Sequence, residues 1–128
     1  MHTLIIKAHP RGDGFSHDIA ARYEEQAKSH GNTVEILELT DKENYQDYAT
    51  FVSPTRTLED ESTKRMQEKI AKADELVWIF PVWWMDCPAV MKNFWDRNFT
   101  SGFAFRYNDT GKVDRLLTGK TAKVYATA

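Results

Sequence analysis

The sequence predicts an α/β domain built on a parallel sheet. Three observations carry that prediction. Short apolar, β-branched runs alternate with amphipathic helical stretches along the chain. The runs end at proline or glycine turns, as strands feeding crossovers do. A length of 128 residues with 41% hydrophobic content suits one core, which buries roughly 65–70% of the unfolded surface without cross-links.

The elements follow in order. Thr3 to Ala8 (TLIIKA) reads as a strand, ended by His9-Pro10 and the turn residues Arg11 to Gly14. Ser16 is placed to cap a helix running to about His30, with Ile19, Tyr23 and Ala27 on one face and Gly31 closing it. Thr33 to Leu39 alternates and reads as a strand at a sheet edge. Asp41 to Thr57 is polar and irregular, a long loop of unassigned role, with a lid and a dimer contact both open. Leu58 to Ala73 is helical, with Met66, Ile70 and Ala73 inward. Glu75 to Phe80 is a buried strand broken by Pro81, and Pro88 opens a helix to about Asn98. Ser101 to Gly119 is a second irregular stretch, and Lys120 to Thr127 is a fourth strand. Strands alternating with helices imply right-handed crossovers. Ligands of such sheets bind beyond the carboxyl ends of the strands, here at His9, Pro81 and Thr127.

Composition excludes several classes of function. Lysine plus arginine number 17 against 19 acidic residues, a net charge of −2, which argues against a broad grip on nucleic acid or anionic lipid. The one cysteine, Cys87, excludes an intrachain disulfide and a cysteine-based zinc site. No metal site is expected, since the histidines lack ligand spacing. The apolar start is too short for a signal peptide or a membrane span, so no stable membrane insertion is expected and the cytoplasm is the expected compartment. Two N-x-T sequons, at Asn98 and Asn108, are read as chance. Gly12-Asp13-Gly14 fails as a dinucleotide fingerprint because position 17 is histidine. Gly119-Lys120-Thr121 fails as a phosphate loop because Asp114 replaces its first glycine and a strand follows.

Three segments carry candidate chemistry. The loop from His9 to His17 joins a strand to a helix N-terminus, where free N–H groups and the helix dipole suit an anion such as phosphate. His9, Arg11, Ser16 and His17 add donors; an ordinary βα turn with a serine cap explains the same residues. Phe80 to Met85 places Trp83 and Trp84 side by side after a strand. A flat aromatic pair beside exposed backbone suits a planar ring, and a hydrophobic dimer patch is the other reading. Gly102 to Tyr107 (GFAFRY) fits a pocket wall or a core plug equally. Cys87 has no base placed beside it by sequence and reads as an inert thiol.

These residues resemble the flavodoxin-like NAD(P)H:quinone oxidoreductases. His9-Pro10 and Phe15 look like that family's H-P-x-x-x-S-F-N loop. FPVWWMDCPAVMKNFWDRNF, Phe80 to Phe99, resembles its F-P-x-W-W-x-x-x-P-A-x-x-K-x-x-x-D-R-x-F almost position by position. Gly102 to Tyr107 and Leu116 to Lys120 complete the likeness, which covers nearly the whole chain. The resemblance implies a doubly wound sheet of order 2-1-3-4 and a flavin, FMN or FAD, with NAD(P)H as hydride donor. It implies cofactor contacts from His9, Arg11, Phe15, Ser16 and His17 on the phosphate side, from Pro81, Val82, Trp83 and Trp84 around the ring, and from Thr127. Phe105 and Tyr107 match positions that line the substrate side, often reaching in from a partner subunit. No catalytic residue is assigned. A homodimer acting by a ping-pong mechanism on quinones or similar acceptors is expected; the alternative is a flavin-binding regulatory or accessory subunit with little turnover.

Two departures qualify the resemblance. Gly14 stands where the family usually has serine, and Ser16 where it has asparagine. Each phosphate-side hydrogen bond lost this way costs roughly 1.5–3 kcal/mol unless a backbone N–H replaces it. The family also continues with T-G-G, a fifth strand and further helices, whereas Thr127 and Ala128 close this sequence. The fourth strand is therefore expected to be an exposed apolar edge, with one sheet face lacking a helix. That pattern suggests a truncated or partial chain, or a neighbour that covers the gap.

Overall fold

Eight strands and three α-helices are placed in the computed structural model, which describes residues 1–54 and 56–128. Strand β1 (His2–Lys7) leads to α1 (Phe15–Ser29) and β2 (Thr33–Glu38). A short 3₁₀ turn (Lys42–Asn44) precedes β3 (Phe51–Ser53) and β4 (Arg56–Thr57). Then come α2 (Glu61–Lys72), β5 (Glu75–Pro81), α3 (Ala89–Asn98), β6 (Phe105–Tyr107), β7 (Val113–Arg115) and β8 (Thr121–Thr127). The four long strands pair in parallel in the order β2-β1-β5-β8, the 2-1-3-4 order expected. The chain leaves β1 for one side and later returns to its other side. The topological switch therefore lies between β1 and β5, beneath the loops that start at Ala8 and Val82.

Alternation within the strands sets the two faces of the sheet. Leu4, Ile6, Leu76, Trp78 and Phe80 pack against Met66 and Ile70 of α2 and Met91 and Phe94 of α3. Ile5, Val77 and Ile79 pack against Ala20, Ile19 and Tyr23 of α1. Burying each large aliphatic side chain contributes roughly 1.5–3 kcal/mol. Met66, Ile70 and Ala73 are fully buried, as their spacing predicts. β8 is a sheet edge, and every residue in it except Thr127 is exposed. On the α1 face β8 is tied down by polar contacts. Lys123 Nζ lies 5.1 Å from the Tyr23 ring centre, Tyr23 donates to Glu75 at 2.7 Å, and the Tyr23 and Tyr125 rings meet edge-on at 5.9 Å.

Several boundaries differ from expectation for physical reasons. Ser16 does not cap α1. The cap position is Gly14, at φ +108°, with no side-chain cap bond, and Ser16 is buried inside the first turn. α2 starts at Glu61 rather than Leu58, because the Asp60 carboxylate accepts from the Thr63 N–H at 3.0 Å and acts as the cap. Pro81 ends β5 rather than breaking it. β1 has already stopped at Lys7, so the missing proline N–H leaves no ladder bond unmade on that side.

Both irregular stretches contain hairpins. β3 and β4 pair antiparallel within the first, where position 55 lies outside the described residues. β6 and β7 pair within the second, around Gly111 at φ +79°. The segment before α2 is fastened by buried polar groups of α3. Gln46 and Asn98 exchange amide hydrogen bonds at 3.0 and 2.9 Å, and Arg97, 1% exposed, donates to the Asp47 carbonyl at 2.9 Å.

Candidate functional site: the crevice beyond the strand ends

The loop after β1 presents a run of free backbone donors. Arg11 N–H is turned inward to His9 Nδ1 at 3.1 Å, and Gly14 enters the left-handed region before the helix. The first intrahelical bond of α1 runs from Asp18 N–H to the Gly14 carbonyl at 3.0 Å. The backbone amides from Gly12 to His17 therefore have no acceptor among the described residues. A helix start with a preceding left-handed glycine and a run of free N–H groups is suited to a phosphate. The Gly14 and Ser16 departures lose little here, because backbone amides supply the donors and the Ser16 hydroxyl is used elsewhere.

That hydroxyl meets Thr127. Ser16 Oγ and Thr127 Oγ1 lie 3.1 Å apart, both buried, and the Thr127 carbonyl accepts from Val82 N–H at 2.7 Å. Thr127 thus fastens the first turn of α1 to the loop after β5. The candidates Ser16, Val82 and Thr127 come together from three distant parts of the chain.

Beyond Val82 the chain makes a two-residue reversal. Trp83 and Asp86 exchange backbone hydrogen bonds at 2.8 and 3.0 Å across an isolated antiparallel bridge. Trp84 and Met85 occupy its tip at φ +52° and +64°. Two positive φ values in a row are the pattern of a type I′ turn, which normally selects Asn-Gly. Each non-glycine residue held there costs on the order of 1 kcal/mol. Trp84 is 100% and Met85 97% exposed, and their amides donate to nothing among the described residues. Strain, exposed aromatic surface and free amides at a strand end match a platform for a flat ring with polar edges. Pro81 is buried at the root of the loop, and Val82 and Trp83 are partly exposed along it.

The remaining candidates are placed as follows. Arg11 is exposed and paired with Asp13 at 3.2 Å, and that hydrogen bond holds the Asp13 carboxyl below its usual range. The Phe15 ring faces a groove with Ile19, Tyr23 and Tyr125, so only its amide belongs to the run of free donors. Phe105 and Tyr107 stack edge-on at 6.0 Å on β6, and Phe105 lines a groove with Phe51, Asp96 and Phe99. No strand-end residue lines that groove, so this chain alone does not bring the pair to the crevice. Cys87 is half-buried, and burial followed by the neighbouring Asp86 pushes its thiol pKa up, which suits an unreactive thiol.

Sequence reasoning missed three features. The left-handed pair at Trp84 and Met85 carries no turn signature in its residue types. The hairpin β6–β7 is signalled by Asn108, whose side chain accepts from the Thr110 and Lys112 amides, both at 3.0 Å. Lys7, a charge ending an apolar strand, sits beneath the loop after β1.

Comparison with known proteins decides the family. A family described by its flavodoxin-like fold matches residues 1–128. This chain belongs to the flavodoxin-like NAD(P)H:quinone oxidoreductase family. It is 28% identical over 131 residues to an uncharacterized NAD(P)H oxidoreductase of Haemophilus influenzae, covering 99% of this chain and 64% of that protein. It is 27% identical over 134 residues to the FMN-dependent NADH:quinone oxidoreductase of Coprothermobacter proteolyticus, covering 98% of this chain and 67% of that protein. Among solved structures, the NAD(P)H:quinone oxidoreductase from Methanothermobacter marburgensis superposes with a TM-score of 0.80 at 28% identity, covering 98% of this chain and 66% of that one. The chain thus spans about two thirds or less of the length of these relatives.

Proposed function

We propose that the protein is a flavin-dependent NAD(P)H oxidoreductase passing two electrons to quinones or similar acceptors. The observation that carries the proposal is the junction at Thr127. It joins a loop of free amides, suited to phosphate, to a strained aromatic turn, suited to a ring, at the switch point of a parallel sheet. An anion site joined to a planar site fits a flavin mononucleotide. FMN is favoured over FAD by the relative named for its FMN dependence.

Under this reading the amides from Gly12 to His17 hold the phosphate, with His9 and His17 beside it. Trp83 and Trp84 would flank the ring, and the Trp84 and Met85 amides would be the donors for its polar edge. A bound flavin would supply reversible two-electron transfer between NAD(P)H and an acceptor. The chain's own part is to orient the ring, exclude water and keep one face open.

A homodimer completes the site. Tyr45, Tyr48, Phe51 and Val52 are each more than half exposed beside α3, an apolar patch of the kind that marks an interface. A second copy would bring Phe105 and Tyr107 to the acceptor face. Among the described residues no helix is long and apolar enough to cross a membrane, and we place the protein in the cytoplasm.

The test is steady-state oxidation of NADH and NADPH with a simple quinone. Parallel double-reciprocal lines across quinone concentrations are expected of a ping-pong sequence. Flavin binding with no turnover on either nucleotide would overturn the enzyme reading and leave the accessory-subunit one.

A further inference from the structure

Beneath the loop after β1, three side chains form a polar run across the ends of β2, β1 and α1. Lys7, 8% exposed at the last position of β1, points its ammonium to the α1 side of the sheet. Lys7 Nζ lies 3.0 Å from Glu38 Oε2 at the end of β2 and 2.9 Å from His17 Nδ1 in the first turn of α1. The other Glu38 oxygen accepts from the Thr40 hydroxyl at 3.0 Å. Such a charge at the end of an apolar strand is costly to bury, and is tolerated only where both partners are held.

The contacts fix the proton on His17. An ammonium has donors and no acceptor. Lys7 therefore donates to both neighbours. His17 Nδ1 must be the unprotonated nitrogen, which leaves the ring hydrogen on Nε2. His17 is the third residue of α1, at the end of the run of free amides from Gly12 to His17.

We infer that Lys7 is a positioning residue for the cofactor phosphate: it holds the His17 ring so that Nε2–H joins the backbone amides as a donor to that anion. This rests on the flavin reading above and adds the residue that sets the donor. Glu38 anchors Lys7 in turn, so the end of β2 also helps to shape the anion site. The inference is specific to the phosphate end of the ligand, since Lys7 and His17 lie at the loop after β1 and, among the described residues, make no hydrogen bond to the turn at Trp84 and Met85.

The decisive experiment compares FMN with riboflavin, which lacks the phosphate. Both are titrated into the wild type and into Lys7→Met. The expected result is roughly tenfold or more weaker FMN binding with riboflavin binding unchanged, the size of one lost charge-assisted hydrogen bond. Equal weakening of both ligands, or of neither, overturns the inference. If Lys7→Met fails to fold because Glu38 is left unpaired, the double variant Lys7→Met/Glu38→Met removes both charges and is read the same way.

A second arm needs no flavin. Nitrogen-15 NMR of the His17 ring is expected to show the Nε2–H tautomer in the wild type and a mixture in Lys7→Met. Inorganic phosphate is expected to shift the Nε2–H signal only in the wild type. A wild type that binds neither flavin defeats the cofactor reading alone, and the phosphate arm then decides the Lys7 role. An Nδ1–H tautomer, or no phosphate response in the wild type, defeats the inference whatever the flavin result.

Discussion

Ser16 Oγ sits 3.1 Å from Thr127 Oγ1, joining residues 111 positions apart at the carboxyl ends of two strands' connections. The hydroxyl pair is buried, so neither oxygen has water as a substitute partner. Thr127→Val keeps the shape and strands the Ser16 hydroxyl. It should cost about 1–2 kcal/mol in urea unfolding and weaken FMN binding by loosening the first turn of α1. Ser16→Ala/Thr127→Val, which removes both groups, should recover most of the stability. A single variant as stable as wild type would show that the bond contributes nothing.

The turn at Trp84 and Met85 predicts opposite effects on stability and binding. Met85→Gly relieves a left-handed residue at φ +64° and should stabilise the protein by about 1 kcal/mol, a rise in Tm of a few degrees. Trp84→Ala should leave Tm unchanged, because the side chain is 100% exposed, yet reduce flavin affinity about tenfold. Calorimetry paired with flavin titration checks both. A Trp84→Ala variant that binds flavin like wild type would remove the ring platform from the site.

Acid should release the segment before α2. Hydrogen bonds from the Ser62 hydroxyl and Thr63 N–H, and more weakly Arg97, hold the Asp60 carboxyl well below the usual carboxylate range against the opposing effect of burial. Its folded pKa is depressed, so the stabilisation is fully present above the unfolded value near pH 4 and is lost as pH falls through the folded value. Stability should therefore decline below about pH 5. Asp60→Asn should lower neutral-pH stability and flatten that decline, measured as urea midpoints against pH. Arg97→Leu removes a buried guanidinium and leaves the Asp47 carbonyl, the Thr63 hydroxyl and Asp60 without its hydrogen bonds. It should cost about 1–3 kcal/mol, since Asp60 stays solvated.

Cys87 should prove dispensable. Its thiol is pushed up by burial first and by Asp86 next, so little thiolate exists at neutral pH. Iodoacetamide labelling should be slow at pH 7.5 and accelerate as pH rises toward 10, and Cys87→Ser should retain flavin binding. Fast labelling at neutral pH would mark a reactive thiol instead.

The legible parts of this fold were those written in periodicity. Ile5, Ile79, Met66 and Ile70 repeat at strand or helix spacing and are all buried as that spacing requires. The order of the four long strands followed from their alternation with helices together with the family resemblance. The illegible parts depend on contacts between distant residues. Nothing near Ser16 says that its hydroxyl is taken by Thr127, so a cap was the sensible local expectation. Trp84 and Met85 lack turn propensity, and the Trp83–Asp86 bridge and the anchor at Val82 hold them where their own preferences would not. Lys7 looked like the end of a strand until Glu38 and His17 closed around it.

The most direct measurement is a visible absorption titration of the purified protein with FMN, followed by NADH or NADPH and then a quinone. The account predicts saturable binding with a perturbed flavin spectrum, bleaching on addition of reduced nucleotide, and return of colour with quinone. A spectrum identical to free FMN throughout the titration would contradict it, and would leave the crevice around Thr127 without its proposed ligand.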